Sequence, residues 1–361
     1  MKIYVAAPAN VYTGGPTALF QLCYTLRNKF GLNAFITFYN IVDNMNPIHE
    51  NYKRFSCPWI SINEIQDDNN NVLIVPEIAT HFLSRFHKIK RAIYWLAVDN
   101  YITANYKPKN TRLNLTLFML KNYIEDMPYR FVRRFRQYYY NAFIAAYVKE
   151  LMDKKLVKVP NADLHIAQSI YAKKFLDRCS VNERNIIIIH EPIESEFLNA
   201  GQKDVNKKKD IIVWNSRKAY PLAFKLVKHL KKLYKVYEAR NIGREGMLKL
   251  LSYSKLFIDI GIHPGRDRPL REAIALGNMA LVNNHGGYYN NEDCMVPDEF
   301  KLKCYLDHRS KVELKDVLKS IREYISNYHY YIEEFHEFRK YIFSEPELYV
   351  NDVQALVSKL L

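Results

Sequence analysis

The chain lacks most of the marks by which a sequence announces its class. Its five cysteines, Cys23, Cys57, Cys179, Cys294 and Cys304, are scattered, and none forms a CxxC pair. That argues against a disulfide framework or a zinc site and fits a reducing cytoplasm. No uninterrupted apolar run reaches the ~18 residues that a spanning helix needs. The opening MKIYVAAPANVYTGG holds one Lys and a short apolar core, so a buried first strand is expected there rather than a signal peptide. Neither GxGxxG nor a Walker sequence follows that strand, which counts against dehydrogenases and P-loop enzymes. RNP, helix-turn-helix and zinc signatures are missing too, so a nucleic-acid protein is not the expected reading. There is no tandem repeat and no low-complexity segment.

What remains is a folded chain with a strong charge. It has 361 residues, 48% hydrophobic and 25% charged, and a formal net charge of +15. The length suits two ordinary domains. The charge calls for an anionic partner, whether nucleic acid, acidic lipid or a phosphate-bearing substrate.

Along the chain, short apolar runs alternate with helical periodicity. KIYVAAP, NAFITFYN, NVLIVPE, RAIYWLAVDN and RNIIIIHEP read as strands, and TALFQLCYTLRNKFG reads as a helix ending at Gly31. After a charged, linker-like KDVNKKKD (203–210) the alternation restarts with IIVWNS, AYPLAFKLVKHLKKL, KLFIDIG, PLREAIALG and MALVNN. This alternation predicts α/β architecture with parallel sheets covered on both faces. One stretch departs from it: YRFVRRFRQYYYNAFIAAYVKELMDKK (129–155) is basic and aromatic at helical spacing. It fits either a core-packed helix with solvated arginines or a helix lying on an anionic membrane.

Ligands of such sheets sit beyond the carboxyl ends of the strands, and the unusual residues gather there. Gly14 and Gly15 follow the first strand, where glycine allows positive φ and close approach, or simply makes a tight turn. Arg217 and Lys218 follow IIVWNS at a helix entrance, as a diphosphate clamp or as a solvated basic turn. His263, Arg266, Asp267 and Arg268 precede a helix expected to start near Pro269, with Glu272 in its first turn. Those residues are either a structural ion-pair cluster or a site for an anion that also carries hydroxyls. His285, Gly286 and Gly287 follow the next strand. Glu77 and Asp99 end adjacent apolar strands and are candidates for a general base or a sugar-orienting group, or are loop formers.

Taken together, NSRKAYPLAFKLV, SYSKLFIDIGIHPGRDRPLREAIALG and HGG resemble the nucleotide-sugar half of GT-B glycosyltransferases, in particular the group-4-like enzymes of bacterial surface polysaccharide assembly. IIIIHEPIESEF resembles the strand and acidic turn leading between their domains, and VYTGGPTALFQL their glycine loop. The resemblance implies two Rossmann-like domains facing across a cleft. Residues 1–195 would be the acceptor domain with a helical insert near 110–155, and 196–335 the donor domain. Residues 336–361 would be helices packing back toward the first domain.

It implies diphosphate contacts from Arg217 and Lys218, with Gly14 and Gly15, and ribose contact from Glu272. The family's earlier glutamate would fall at Pro264, so either its work on the donor sugar passes to His263, Arg266 or Asp267, or the chain represents a divergent subgroup. Asp99 ranks above Glu77 as the catalytic residue. The expected function is metal-independent transfer of a hexose from a UDP- or GDP-linked donor to a glycan or lipid-linked acceptor. No cofactor is expected. The place would be cytoplasmic or peripheral at the inner membrane face. Two alternatives stay open: a nucleotide-sugar epimerase of the same fold and a non-catalytic glycan-binding relative.

Overall fold

The computed structural model describes residues 1–42, 45–123, 132–201, 207–303 and 313–361, with backbone alone for 111–112, 120–123 and 132–138. They form two units. The first comprises Met1–Ala104, Val157–Pro192 and Glu345–Leu361; the second comprises Asn105–Leu156 and Ile193–Ser344.

The strands of the first unit are β1 (Ile3–Pro8), β2 (Ala34–Tyr39), β3 (Trp59–Ser61), β4 (Val72–Pro76), β5 (Lys90–Trp95), β6 (Leu164–Ala167) and β7 (Ile186–Ile188). They lie in the order β3-β2-β1-β4-β5-β6-β7, and every pairing is parallel. The register sets Ile3 beside Ala34 on one side and beside Val72 on the other. Parallel strands are covered on both faces, which is why β1 and β4 read as unbroken apolar runs. Helix α1 (Gly14–Asn28) buries Leu19, Leu22, Cys23 and Leu26, one stripe at helical spacing. Helix α2 (Val98–Asn105) follows β5.

Helices α3 (Thr111–Tyr123) and α4 (Val132–Asp153) belong to the second unit. In the part of the 129–155 segment whose side chains are described, Ala142 and Ala145 join the core of the second unit while Tyr140, Lys149 and Lys154 are exposed. Residues 124–131, and the side chains up to 138, lie outside the described residues. Helix α5 (Ile170–Arg178) returns to the first unit, capped by the Ser169 hydroxyl, which accepts from Ala172 N–H.

The second unit resumes with α6 (Ser195–Gly201), β8 (Lys209–Trp214), α7 (Pro221–Leu230), β9 (Lys235–Glu238), α8 (Gly243–Tyr253), β10 (Ser254–Asp259), α9 (Arg268–Ala275), β11 (Met279–Asn283) and β12 (Lys301–Leu302). Its sheet, again all parallel, has the order β12-β11-β10-β8-β9. Lys209 already belongs to β8, so the linker-like run ends before it, and 202–206 lie outside the described residues. Helices α10 (Leu314–Ser326), α11 (Tyr328–Tyr331) and α12 (His336–Leu360) complete the chain. The first part of α12 supplies Phe338 and Ile342 to the second core; its last part supplies Val353 and Leu356 to the first.

Central β10 is the strand on which the second core closes, with Leu256, Phe257 and Ile258 inaccessible to solvent. Phe257→Ala removes a whole buried ring. It is expected to cost ~3–5 kcal/mol in chemical denaturation; a loss below ~1 kcal/mol would mean that this strand is not the centre of a packed core.

Candidate functional site

In the second unit the residues singled out above meet beyond the carboxyl ends of β8, β10 and β11. The turn after β8 is stitched to the segment after β10 by backbone bonds: Ile262 N–H donates to the Lys218 carbonyl at 3.0 Å, and Tyr220 N–H to that of Ile260 at 2.9 Å. Gly261 makes this possible, because any Cβ there would collide with the Lys218 carbonyl and Ala219 Cα. From outside, Asn141 of α4 donates its amide N–H to the carbonyls of Arg217 (3.3 Å) and Ala219 (3.2 Å). Arg217 is thereby held exposed, and its guanidinium reaches Asn241 at 3.5 Å.

Lys218 points the other way. Its ammonium donates to Asp267 Oδ1 at 2.7 Å, and the ring of His263 lies against Asp267 Oδ2 at 3.1 Å. Burial alone would raise the Asp267 pKa, but Lys218 and His263 outweigh it and hold the carboxyl at about 2. Asp267 is the residue before α9, although its side chain does not cap the helix. His263 has no exposed surface; its Nε2 faces the Asp259 carbonyl at 3.2 Å and Asn283 Oδ1 at 3.0 Å. Its ring stacks on Tyr288 at 3.5 Å between centroids. So His263 positions Asp267 from within and does not present itself to a sugar. Asp259, buried beneath, has its pKa raised by burial and accepts the Tyr288 hydroxyl at 3.2 Å. Asp259, His263 and Asp267 offer ligand atoms within 4.8 Å of one another; a metal ion there would have to displace the Lys218 ammonium.

The turn after β11 closes over this network. Gly287 N–H donates to the His263 carbonyl at 2.7 Å, and a Cβ at Gly287 would lie 2.6 Å from the Gly265 carbonyl oxygen. His285 faces the Tyr220 hydroxyl at 3.4 Å, and burial pushes its pKa down to about 4.

Three arginines, Arg266 just before α9 and Arg268 and Arg271 on it, are buried. Arg266 lies over the Tyr341 ring, with a guanidinium N–H 3.3 Å from its hydroxyl. Arg268 comes within 3.8 Å of Glu194, and Arg271 donates to the Arg266 carbonyl at 3.3 Å. Arg244, at the start of α8, pairs with both Glu194 and Glu196.

Among these charges Glu272 stands out. It is 8% exposed, and no described residue hydrogen-bonds or ion-pairs with its carboxylate. Burial raises its pKa to about 7, against the longer-range pull of Arg244 and Arg268. The sequence placed it in the first turn, but α9 starts at Arg268, with Pro269 second and no acid in the first turn. The helix dipole falls off within one turn, and burial decides the protonation of Glu272 instead.

The candidates in the first unit are arranged differently. Gly14 and Gly15 are already helical and neither has positive φ. A Cβ at Gly15 would meet Leu96 at an ordinary 3.6 Å. Glycine is therefore not demanded by the backbone; what they offer is the open N–H groups of the start of α1. Glu77 faces inward, 2% exposed, and accepts Leu96 N–H at 3.0 Å. Burial raises its pKa to about 7, partly offset by backbone N–H groups of Leu96, Glu77 and Ala97. It holds the turn between β5 and α2. Asp99, in the first turn of α2, accepts the Tyr171 hydroxyl at 2.9 Å.

Sequence reasoning missed Asn141, Glu194 and Arg244. Arg244 left a signal, a cation at the entrance of a helix after a strand, and Glu194 lies in the acidic turn of IIIIHEPIESEF; Asn141 left none.

No protein-family model and no curated protein sequence matches the chain. Solved structures do. Anabaena HepE in complex with UDP-glucose superposes with a TM-score of 0.59 at 10% identity, covering 99% of this chain and 100% of that one. WaaG, a glycosyltransferase involved in lipopolysaccharide biosynthesis, gives 0.51 at 10% identity, covering 98% and 99%. UDP-GlcNAc 2-epimerase from Neisseria meningitidis bound to UDP-GlcNAc gives 0.50 at 10% identity, covering 100% and 99%. The chain has the GT-B fold, built from two Rossmann-like units.

Glu272 also makes a stability prediction. Its folded pKa of about 7 lies above the ordinary 4.5, so the folded protein binds more protons than the unfolded chain between those values. Stability then falls as pH rises from about 4.5 through 7, by on the order of 3 kcal/mol from this group. Glu272→Gln is expected to remove that slope and raise Tm at pH 8, measured against its Tm at pH 5. An unchanged slope, or a lower Tm at pH 8, would mean that the carboxylate is satisfied within the protein.

Proposed function

We propose that this chain is a glycosyltransferase that takes a hexose from a UDP- or GDP-linked donor and passes it to a glycan or lipid-linked saccharide in surface polysaccharide assembly. The observation that carries the reading is Glu272: a largely buried carboxylate of raised pKa for which no hydrogen bond or ion pair is found among the described residues. A ribose supplies the two hydroxyl donors that such a carboxylate lacks. The bound UDP-glucose of HepE and UDP-GlcNAc of the epimerase support the same class of donor.

In this reading Arg217 and Lys218 take the diphosphate. Guanidinium and ammonium neutralise the leaving group without a metal ion. Lys218 must exchange Asp267 for phosphate, and Asp267 stays held by His263. The bond from the sugar C1 to the diphosphate oxygen breaks, and the acceptor oxygen bonds to C1. The acceptor proton passes to Asp99 or leaves with the phosphate. Asp99, with Tyr171 fixing one oxygen, takes that proton or orients the acceptor, while Glu77 supports the turn beneath. The work takes place in the cytoplasm or at the inner membrane face, where lipid-linked acceptors are available.

The epimerase likeness supports a second reading, in which a nucleotide sugar is rearranged and no acceptor enters. Turnover that depends on acceptor separates the two.

Arg217→Ala and Lys218→Ala should each cost ~2–4 kcal/mol of nucleoside diphosphate affinity, or about two decades by calorimetry. Unchanged affinity in both, with the fold intact, would refute the clamp. Asp99→Asn should lower acceptor-dependent turnover ~10²-fold while nucleotide affinity holds. Wild-type turnover in that variant would remove Asp99 from the chemistry.

A further inference from the structure

At the amino ends of β8 and β9, the edge of the sheet opposite the site just described, lies a hollow of about 560 Å³. Lys209, Lys231, Lys232 and Lys235 line it, with Leu233 and Tyr234 between them. The sequence explains how so much like charge gathers. No acidic residue falls between Lys225 and Lys235. Helix α7 buries Leu226, Val227 and Leu230, so its lysines and the turn that follows it face outward. Asp210 also lines the hollow, but its carboxylate is taken by Lys255 at 2.6 Å.

Charge is half of the observation. Leu233 stands 49% exposed among these lysines, with Tyr234 beside it in the lining, and the Lys209 ammonium lies 5.4 Å from the ring centroid of exposed Tyr253. A soluble phosphate or a nucleic-acid backbone would satisfy the lysines and leave Leu233 in water. A bilayer takes both, with headgroup phosphates against the lysines, Leu233 at the acyl boundary and tyrosines at headgroup level.

We propose that this lysine-ringed hollow docks the protein on an anionic phospholipid surface. Docking here leaves the carboxyl-end site of the same unit open to nucleotide exchange, because the two lie at opposite ends of the same strands. The surface is distinct from the 129–155 segment and does not depend on the proposed sugar transfer.

The test is co-sedimentation of the full chain with phosphatidylcholine vesicles, with and without phosphatidylglycerol. The wild type is expected to bind the anionic vesicles and to be released by salt. Each lysine near such a surface contributes about fivefold, so Lys231→Gln with Lys232→Gln should weaken binding ~25-fold. Leu233→Ser should weaken vesicle binding while retention on heparin stays the same. Nucleoside diphosphate affinity, measured alongside, should not change in either variant, which checks their fold separately from the function proposed above. Equal binding to neutral vesicles, or wild-type binding by the double lysine variant, would overturn the proposal. Loss in the lysine variant with full binding by Leu233→Ser would also overturn it, since the face would then be a general polyanion surface.

Discussion

The site in the second unit depends on one carboxylate shared by an ammonium and an imidazole. Asp267 accepts Lys218 from the turn after β8 and meets His263 from the turn after β10. Held at about 2, its pKa keeps it an anion at every physiological pH. The backbone ties the same parts together: Ile262 to Lys218, and Gly287 to His263. Three loops that share no sequence proximity thus become one surface. Gly261 and Gly287 are the positions where their close approach leaves no room for a side chain.

Two buried glutamates are answered differently by their surroundings. Glu77 and Glu272 are buried to a similar degree, and burial raises both to about 7. Glu77 is answered by backbone N–H groups, so its carboxylate belongs to the turn it holds. Glu272 is answered only at a distance, by arginines that are themselves engaged with Glu194, Glu196 and backbone carbonyls. Burial makes the Glu272 carboxylate costly to ionise. On the function proposed above, a ligand's hydroxyls would supply the donors that lower this cost.

Much of this could be read from the chain, for reasons that have a physical basis. Parallel strands buried on both faces leave unbroken apolar runs, so β1, β4, β10 and β11 were visible, and charges interrupting such runs marked the strand ends. Position alone pointed to the Lys218–Asp267 pair, which the structure joins at 2.7 Å. Direction did not follow from position. His263 and Glu77 sit where ligand-facing residues would, yet both turn inward, because hydrogen-bond partners at the end of the neighbouring strand, Asn283 and Leu96, decide which way the side chain points. Gly14 and Gly15 suggested a strained turn, but the helix begins there and no positive φ is needed. Asn141 and Glu194 come from segments remote in sequence, and no local pattern tells that an insert helix will brace the turn of Arg217.

The central claim is that Glu272 waits for hydroxyl donors from a nucleotide ribose. Donors of that kind favour the ionised carboxylate and must lower a pKa that stands at about 7 in the free protein. Binding at neutral pH therefore releases a proton. The direct measurement is calorimetry of UDP and GDP binding near pH 7 in buffers of different ionisation enthalpy, for the wild type and Glu272→Gln. The account predicts fractional proton release by the wild type, affinity that rises between pH 6 and 8, and neither effect in the variant, which also binds more weakly. Binding without proton release, or equal proton release and affinity in the variant, would contradict it.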